Sequence, residues 1–184
     1  MSRLPNLDPA KMSPEQKKVH DAVIAGPRGR IVGPIKVWLA NPGLAEHAQA
    51  LGAYCRYNTS LPPRLSELAI CITGAFWKAN YEWFAHAPLA MKAGIDGAAL
   101  EAIRTGGKPK FEKGDEQLIY DFVSELVTTK RVSNATFERA KKEIAETGVI
   151  DLVGIVGYYS LVSVTLNTFE LAVPDGEKVP FDIK

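Results

Sequence analysis

The sequence predicts an all-α protein, and three observations support this prediction. Apolar residues recur at the i, i+3, i+4, i+7 spacing of amphipathic helices along most of the chain. Cap residues, prolines and glycines separate these stretches at the points where helices begin and end. No segment alternates apolar and polar residues like a half-buried strand. A length of 184 residues fits one domain over 1–184, with 1–12 and 174–184 expected to be extended tails.

The first three predicted helices span 14–25, 35–40 and 42–57. Ser13, Pro14 and Gln16 form a start signal, with serine as the cap, proline in the first turn and glutamine placed to complete a capping box. A glycine-rich stretch separates the first helix from the second. Asn41 and Pro42 supply a second cap-plus-proline signal, and this predicts the start of the third helix.

The later predicted helices span 63–76, 80–93, 96–104, 115–130, 134–146 and 150–169. Several of them are followed by a glycine, the residue that most readily adopts the left-handed backbone just past a helix end. Gly94, Gly106 and Gly148 are the glycines that set these boundaries. The last of these separates two predicted helices near the end of the chain.

Composition limits the classes of function. The 22 lysines and arginines nearly cancel the 21 aspartates and glutamates, so the chain lacks the basic field of a nucleic-acid-binding protein. The most apolar stretch, 149–166, contains Asp151 and two glycines, and we expect a buried helix rather than a membrane span. Cys55 and Cys71 form neither a redox motif nor a metal-binding spacing. With no apolar signal core near the N-terminus, we expect a cytoplasmic protein.

Three proton-active side chains mark a candidate site. Glu82 and His86 are four residues apart, so they share one face of a helix. Glu67 lies one helix earlier, opposite the apolar stripe and on the same side as Cys71 and Gly74. That position is compatible with either the surface or a cavity. The surrounding residues are apolar and aromatic, and such surroundings shift the pKa of a carboxylate or an imidazole.

The segment 65–94 resembles the carboxymuconolactone decarboxylase and alkylhydroperoxidase D-like family. The peroxidase branch of that family has a helix glutamate, then a Cys-x-x-Cys pair, then a histidine four residues past the second cysteine. Aligned on Glu67 and His86, the two cysteine positions fall on Ala79 and Glu82, so the dithiol is absent. The decarboxylase branch carries a glutamate four residues before the histidine, as here. The resemblance therefore favours acid/base chemistry over redox chemistry.

The resemblance extends loosely over 41–64 and 154–169, and it implies both a fold and a function. The implied fold is an alkylhydroperoxidase D-like helical bundle that assembles as a homo-oligomer, a trimer or a hexamer. The implied function is that of a cofactor-free lyase, a decarboxylase that acts on a small carboxylated lactone or ring acid from aromatic catabolism. Two alternatives stay open: an alkylhydroperoxidase-like antioxidant protein, and a non-catalytic small-molecule binding protein of the same fold.

The catalytic candidates are Glu67, Glu82 and His86. Histidine exchanges protons near neutral pH because its solution pKa is about 6.5. We therefore assign His86 as the proton carrier, Glu67 as its orienting partner or base, and Glu82 as a second acid. Which carboxylate is acid and which is base stays open. No metal is expected, because di-iron bundles place Glu and His three residues apart and repeat the pair on another helix.

The substrate-binding candidates are Trp83, Tyr81 and Arg30. Trp83 is expected to form a pocket wall, and Tyr81 also flanks Glu82 in the sequence. Arg30 lies in the glycine-rich loop over 26–33, where its guanidinium group can hold a substrate carboxylate in a bidentate manner. Tyr158 and Tyr159 lie on the last apolar helix, and there we expect a structural role.

Overall fold

The computed structural model describes residues 3–4 and 7–182, and these residues form eight α-helices and no β-strand. The helices are α1 (Pro14–Ala25), α2 (Pro34–Trp38), α3 (Pro42–Tyr57), α4 (Pro63–Phe76), α5 (Asn80–Lys92), α6 (Gly97–Thr105), α7 (Gly114–Thr129) and α8 (Asn134–Thr168). A single 3-10 turn, Pro9–Lys11, precedes α1. The prediction of an all-α protein is confirmed.

The helix starts follow the predicted cap residues. The Ser13 hydroxyl accepts a hydrogen bond from the Gln16 backbone N–H at 3.3 Å, and the Gln16 side chain accepts one from the Ser13 N–H at 2.9 Å. These two bonds form the capping box that the sequence predicts. The Asn41 side chain likewise accepts a hydrogen bond from the Leu44 N–H at 3.3 Å. Each cap satisfies a backbone donor that has no partner within its own helix.

Helix α4 lies at the centre of the fold. It packs against α5, α6, α7 and α8, and all ten residues over 65–74 are buried. The apolar stripe of α4 is therefore only one of its buried sides. The side that carries Glu67, Cys71 and Gly74 is buried as well, so Glu67 faces the interior and not the surface.

Helix α8 is one long element with a break at Ala145, where the backbone has φ 60° and ψ 172°. The predicted break at Gly148 was wrong by three residues. Gly148 lies inside the second part of the helix, where a Cβ atom would come within 2.9 Å of the Ile144 Cβ. Its missing side chain makes room for Ile144. By length and composition α8 is a candidate membrane span, but its buried residues, such as Leu152 and Ile155, belong to the protein core.

Asp151 is a charged residue within the apolar part of α8, and three hydrogen bonds account for it. The Tyr54 hydroxyl donates to Oδ1 at 2.7 Å, and the Ser60 N–H and hydroxyl both donate to Oδ2 at 2.7 Å. Burial alone would raise the pKa of Asp151, but these donors outweigh it and lower the pKa. The carboxylate thus joins α8 to the end of α3 and the loop after it.

One face of α8 leaves apolar side chains exposed. The large apolar residues on this face are Ile150, Val153, Leu161 and Val164. Their spacing places them on one side of the helix, and Ile150 is 71% exposed. An apolar stripe of this kind is a common feature of protein contact surfaces. The trimer or hexamer implied by the sequence resemblance stays a prediction.

The segment after α8 returns along the helices and ends in a buried anchor. Phe181 is 6% exposed, and its ring packs edge-on against Trp83 with the centroids 5.5 Å apart. The Phe181 N–H also donates to the Asn80 side-chain oxygen at 2.7 Å. The predicted C-terminal tail therefore lacks regular structure but is held against the core. In the predicted N-terminal tail the structure instead contains the 3-10 turn Pro9–Lys11; residues 1–2, 5–6 and 183–184 lie outside the described residues.

Replacing Phe181 by alanine is expected to lower the free energy of unfolding by about 2 kcal/mol, because a buried aromatic ring is lost. Thermal and urea unfolding followed by circular dichroism would measure the change. Val179→Ala is the matched control, since Val179 is 55% exposed and lies in the same segment. Equal unfolding curves for the two variants would show that Phe181 does not anchor the segment.

Candidate active site

His86 lies between two carboxylates. Its Nδ1 is 2.6 Å from Glu67 Oε2 in a hydrogen bond, and its Nε2 is 3.1 Å from Glu82 Oε1. Glu82 Oε1 is buried and has no hydrogen-bond partner among the described residues, so the second contact is an ion pair with poor hydrogen-bond geometry. The three catalytic candidates therefore meet at one point, with one carboxylate at each ring nitrogen.

The turn between α4 and α5 brings these residues together. Lys78 adopts a left-handed backbone with φ 49°, and the Ala79 N–H donates to the Gly74 carbonyl at 2.9 Å. The chain reverses there, and α5 returns along α4. Glu67, in the second turn of α4, consequently faces His86 on α5.

The surroundings of His86 decide its protonation state. Its side chain is almost completely buried, and burial alone would lower the pKa of the imidazole. The negative charge of Glu82 and the hydrogen bond to Glu67 outweigh burial and raise the pKa of His86 to about 9. At neutral pH the ring is therefore an imidazolium ion, and it is poised to give a proton rather than to take one.

Glu82 and His86 line a cleft of about 560 Å³. The cleft also has a basic part and an aromatic part. The basic residues are Arg28, Arg30 and Arg56, and the aromatic residues are Tyr81, Phe84, Tyr158 and Tyr159. Glu67 is not among the lining residues, so it lies behind His86 as seen from the cleft. A small molecule in the cleft would meet His86 and Glu82 directly.

The three arginines of the cleft have no carboxylate partner among the described residues. Several other arginines are paired with carboxylates, as Arg64 is with Asp115 at 2.6 Å. In the cleft, Arg28 Nη2 donates to the Tyr158 hydroxyl at 3.3 Å, while Arg28 Nε is buried without a partner. Arg56 lies over the Tyr57 ring at 5.4 Å. Unpaired guanidinium groups that converge on one cleft form a site for an anion.

Two glycines allow this cleft wall to form. At Gly52, an added Cβ atom would lie 2.0 Å from the Tyr158 hydroxyl and 2.4 Å from Arg28 Nη2. At Gly33, the backbone has φ 54° and an added Cβ would lie 3.0 Å from the Tyr81 ring. A side chain at either position would displace a residue that lines the cleft. The glycine-rich loop thus places backbone, not side chains, against Tyr81.

The predicted substrate-binding residues separate into two groups. Arg30 and Tyr81 line the cleft, as their assignment requires. Trp83 does not: it lies on another side of α5, where its ring packs against Phe181. Adjacent residues on a helix point about 100° apart, so Trp83 turns away from the face that carries Glu82 and His86. The expectation that Trp83 forms the pocket wall was therefore wrong.

The cleft residues that the sequence did not assign to the site include Arg28 in the glycine-rich loop, Phe84 on α5, and residues of α3 and α8. Arg56 is near the end of α3, and Tyr158 and Tyr159 lie on α8, where the sequence indicated only a structural role. The adjacent tyrosines on an otherwise apolar helix were the available signal, because buried tyrosine hydroxyls need partners. Arg56 carried no such signal, since its position depends on how α3 packs.

Both cysteines are buried free thiols. Burial raises the pKa of Cys55 to about 11 and, together with the charges of Glu67 and Glu82, raises the pKa of Cys71 well above its usual range. A thiol reacts as its thiolate, so both are inert near neutral pH.

Within residues 3–4 and 7–182, no group of three or more His, Cys, Asp or Glu side chains is arranged to hold a metal ion. Both ring nitrogens of His86 face carboxylates.

No protein-family model matches the chain, and no curated protein matches it.

Proposed function

We propose that this protein is a cofactor-free acid/base lyase with an alkylhydroperoxidase D-like fold. Its reaction resembles that of carboxymuconolactone decarboxylase, and its substrate is a small carboxylated lactone or ring acid. One observation carries the proposal: a buried imidazolium, held between two carboxylates, opens onto a cleft with three unpaired arginines. Together they supply an anion site and a proton donor in one cleft.

The arginines provide the binding energy in this proposal. A carboxylate that enters the cleft meets guanidinium groups that have no carboxylate partner among the described residues. The aromatic residues offer apolar surface for a ring, and Tyr81 lies on the wall next to Arg30 and Gly33. The cleft thus suits a molecule that is apolar over most of its surface and anionic at one end or both.

His86 provides the chemistry. The bond between the ring carbon and the carboxylate breaks, and carbon dioxide leaves. The electron pair of that bond spreads through the conjugated system to a carbonyl oxygen and forms an enolate. The imidazolium of His86 then donates its Nε2 proton to carbon, which restores the carbonyl. Water reprotonates the imidazole, so the cycle consumes no cofactor.

The two carboxylates have different roles because they occupy different positions. Glu67 lies behind His86 and holds Nδ1 at 2.6 Å, so it fixes the orientation of the ring and stabilises its positive charge. Glu82 lines the cleft beside Nε2, and it can pass a proton between solvent and the ring. In this assignment Glu67 is a positioning residue, and Glu82 completes the proton path.

The state of the thiols weighs against the antioxidant alternative. A thiol peroxidase needs a thiolate that peroxide can reach. Cys55 and Cys71 are buried, and the pKa of each is raised. The binding-protein alternative explains the arginines but leaves the Glu–His–Glu arrangement without a purpose, although burying charges is costly.

The test is carbon dioxide release from carboxylated lactones, with the corresponding methyl esters as negative controls. We expect release only from the free carboxylates. Arg56→Gln is expected to raise KM about tenfold, because one charged hydrogen-bonding group is lost. Arg131→Gln is the matched control, since Arg131 also has no ion pair in the described part of the chain but does not line the cleft. Binding of the carboxylates without release would favour the binding-protein alternative, and absence of binding would contradict the proposal.

A further inference from the structure

Tyr159 lies directly beside His86 in the cleft wall. The two rings meet edge to face, with their centroids 5.2 Å apart and their planes at 80°. Tyr159 is almost fully buried and lines the cleft, yet its hydroxyl makes no hydrogen bond with any described residue. The hydroxyl oxygen is not among the fully buried polar atoms without a partner, so it is accessible from the cleft and can donate a hydrogen bond to a molecule bound there.

The structure assigns this acceptor to the substrate: Tyr159 is a further catalytic residue, and its hydroxyl donates a hydrogen bond to the oxygen that becomes negative as the enolate forms. This inference rests on the proposed lyase function, because that reaction creates an oxyanion a few bonds from the carbon that His86 protonates. Donors that are already in place where charge develops lower the barrier without having to reorganise. Tyr159 and His86 would then act at the two ends of one conjugated system.

The chemistry of Tyr159 fits this role at any physiological pH. Burial and the nearby charge of Glu82 raise the pKa of its phenol well above the usual value. The group therefore keeps its proton and donates a hydrogen bond without becoming an acid that transfers the proton. His86 remains the proton donor to carbon.

The neighbouring Tyr158 does not have the same freedom. Its hydroxyl accepts a hydrogen bond from Arg28 Nη2 at 3.3 Å, and its ring packs edge-on against Trp38. Tyr158 thus helps to hold Arg28 in place by a hydrogen bond. The Tyr159 hydroxyl forms no hydrogen bond with Arg28, Arg30 or Arg56. The two residues are adjacent on α8, so removal of one hydroxyl from each provides a matched pair of variants.

The test uses two nitrobenzoates, called the two dyes below, and does not require the natural substrate. The first is 4-hydroxy-3-nitrobenzoate, which carries a carboxylate for the arginines and a yellow phenolate as a mimic of the enolate oxygen. The second is 3-nitrobenzoate, which lacks only the hydroxyl group. Dissociation constants of both would be measured for the wild type, Tyr159→Phe and Tyr158→Phe, after circular dichroism shows that all three are folded.

We expect Tyr159→Phe to weaken binding of the hydroxylated dye about tenfold and to leave binding of 3-nitrobenzoate within about twofold, because one hydrogen bond to a charged oxygen is lost. Tyr158→Phe should weaken the binding of both compounds by the same factor, because Arg28 loses its hydrogen bond to the Tyr158 hydroxyl. An unchanged ratio of the two affinities in Tyr159→Phe would overturn the role of Tyr159 and leave the proposed function intact. If the wild type bound neither compound, the cleft would not be an anion site. Both the proposed function and the role of Tyr159 would then be wrong.

Discussion

Replacing His86 by glutamine is expected to lower kcat by about 10²–10⁴-fold, the usual contribution of a positioned general acid. Glutamine keeps much of the size and polarity of the side chain but cannot transfer a proton. KM should change little, because the substrate carboxylate is bound by the arginines and not by His86. Initial rates of carbon dioxide release at neutral pH would measure both constants.

The pH dependence of the wild-type rate gives a second readout of the same group. His86 acts as an acid, and its pKa is raised to about 9, so kcat/KM should hold through neutral pH and fall as pH rises past about 9. Glu67→Gln keeps a hydrogen-bond acceptor for Nδ1 but removes one negative charge, so the fall should move to lower pH. Full turnover in His86→Gln, or a rate that does not depend on pH up to 10, would contradict the assignment.

The helix starts at Ser13 and Asn41 were predictable because they depend on local interactions, whereas the break in α8 was not. The Ser13–Gln16 capping box and the Asn41 cap act over three residues, so the sequence around each start contains the whole signal. The pairing of Glu82 with His86 is equally local, since one turn of α5 brings them together. The distance of 2.6 Å between His86 and Glu67 follows from a short turn between two helices, and this turn lies within the resembling segment.

What the sequence did not predict depends on packing between distant elements. Tyr159 reaches the cleft because α8 packs against α4 and α5, and Arg56 reaches it because α3 packs against α8. Trp83 was assigned to the pocket from its neighbours in the sequence, but Phe181, almost a hundred residues later, covers it on another side of α5. The sequence also could not predict the raised pKa of His86. That pKa depends on the balance between burial and the charges of two carboxylates, and this balance requires their distances from the ring.

The second large effect concerns the free energy of unfolding. Deprotonation of His86 alone should lower it by about 3 kcal/mol as the pH rises from 6.5 to 9. The pKa of the ring is about 9 in the folded protein and about 6.5 in the unfolded chain. The folded state therefore binds the proton more tightly. This stabilisation is complete below pH 6.5, where both states are protonated, and it is lost as pH rises through the folded-state value.

Urea unfolding at a series of pH values would measure this loss, and the contribution of His86 should end near pH 9. Above that value Cys55 contributes in the same direction, because burial raises its pKa to about 11. Glu82→Gln provides the decisive comparison, since removing one negative charge beside Nε2 lowers the pKa of His86 and narrows the pH range of this contribution from its upper end. Titration of the His86 ring by NMR would locate the midpoint directly in both proteins. A midpoint near 6.5 in the wild type, with stability constant up to pH 9, would show that the carboxylates do not hold the ring in its charged form.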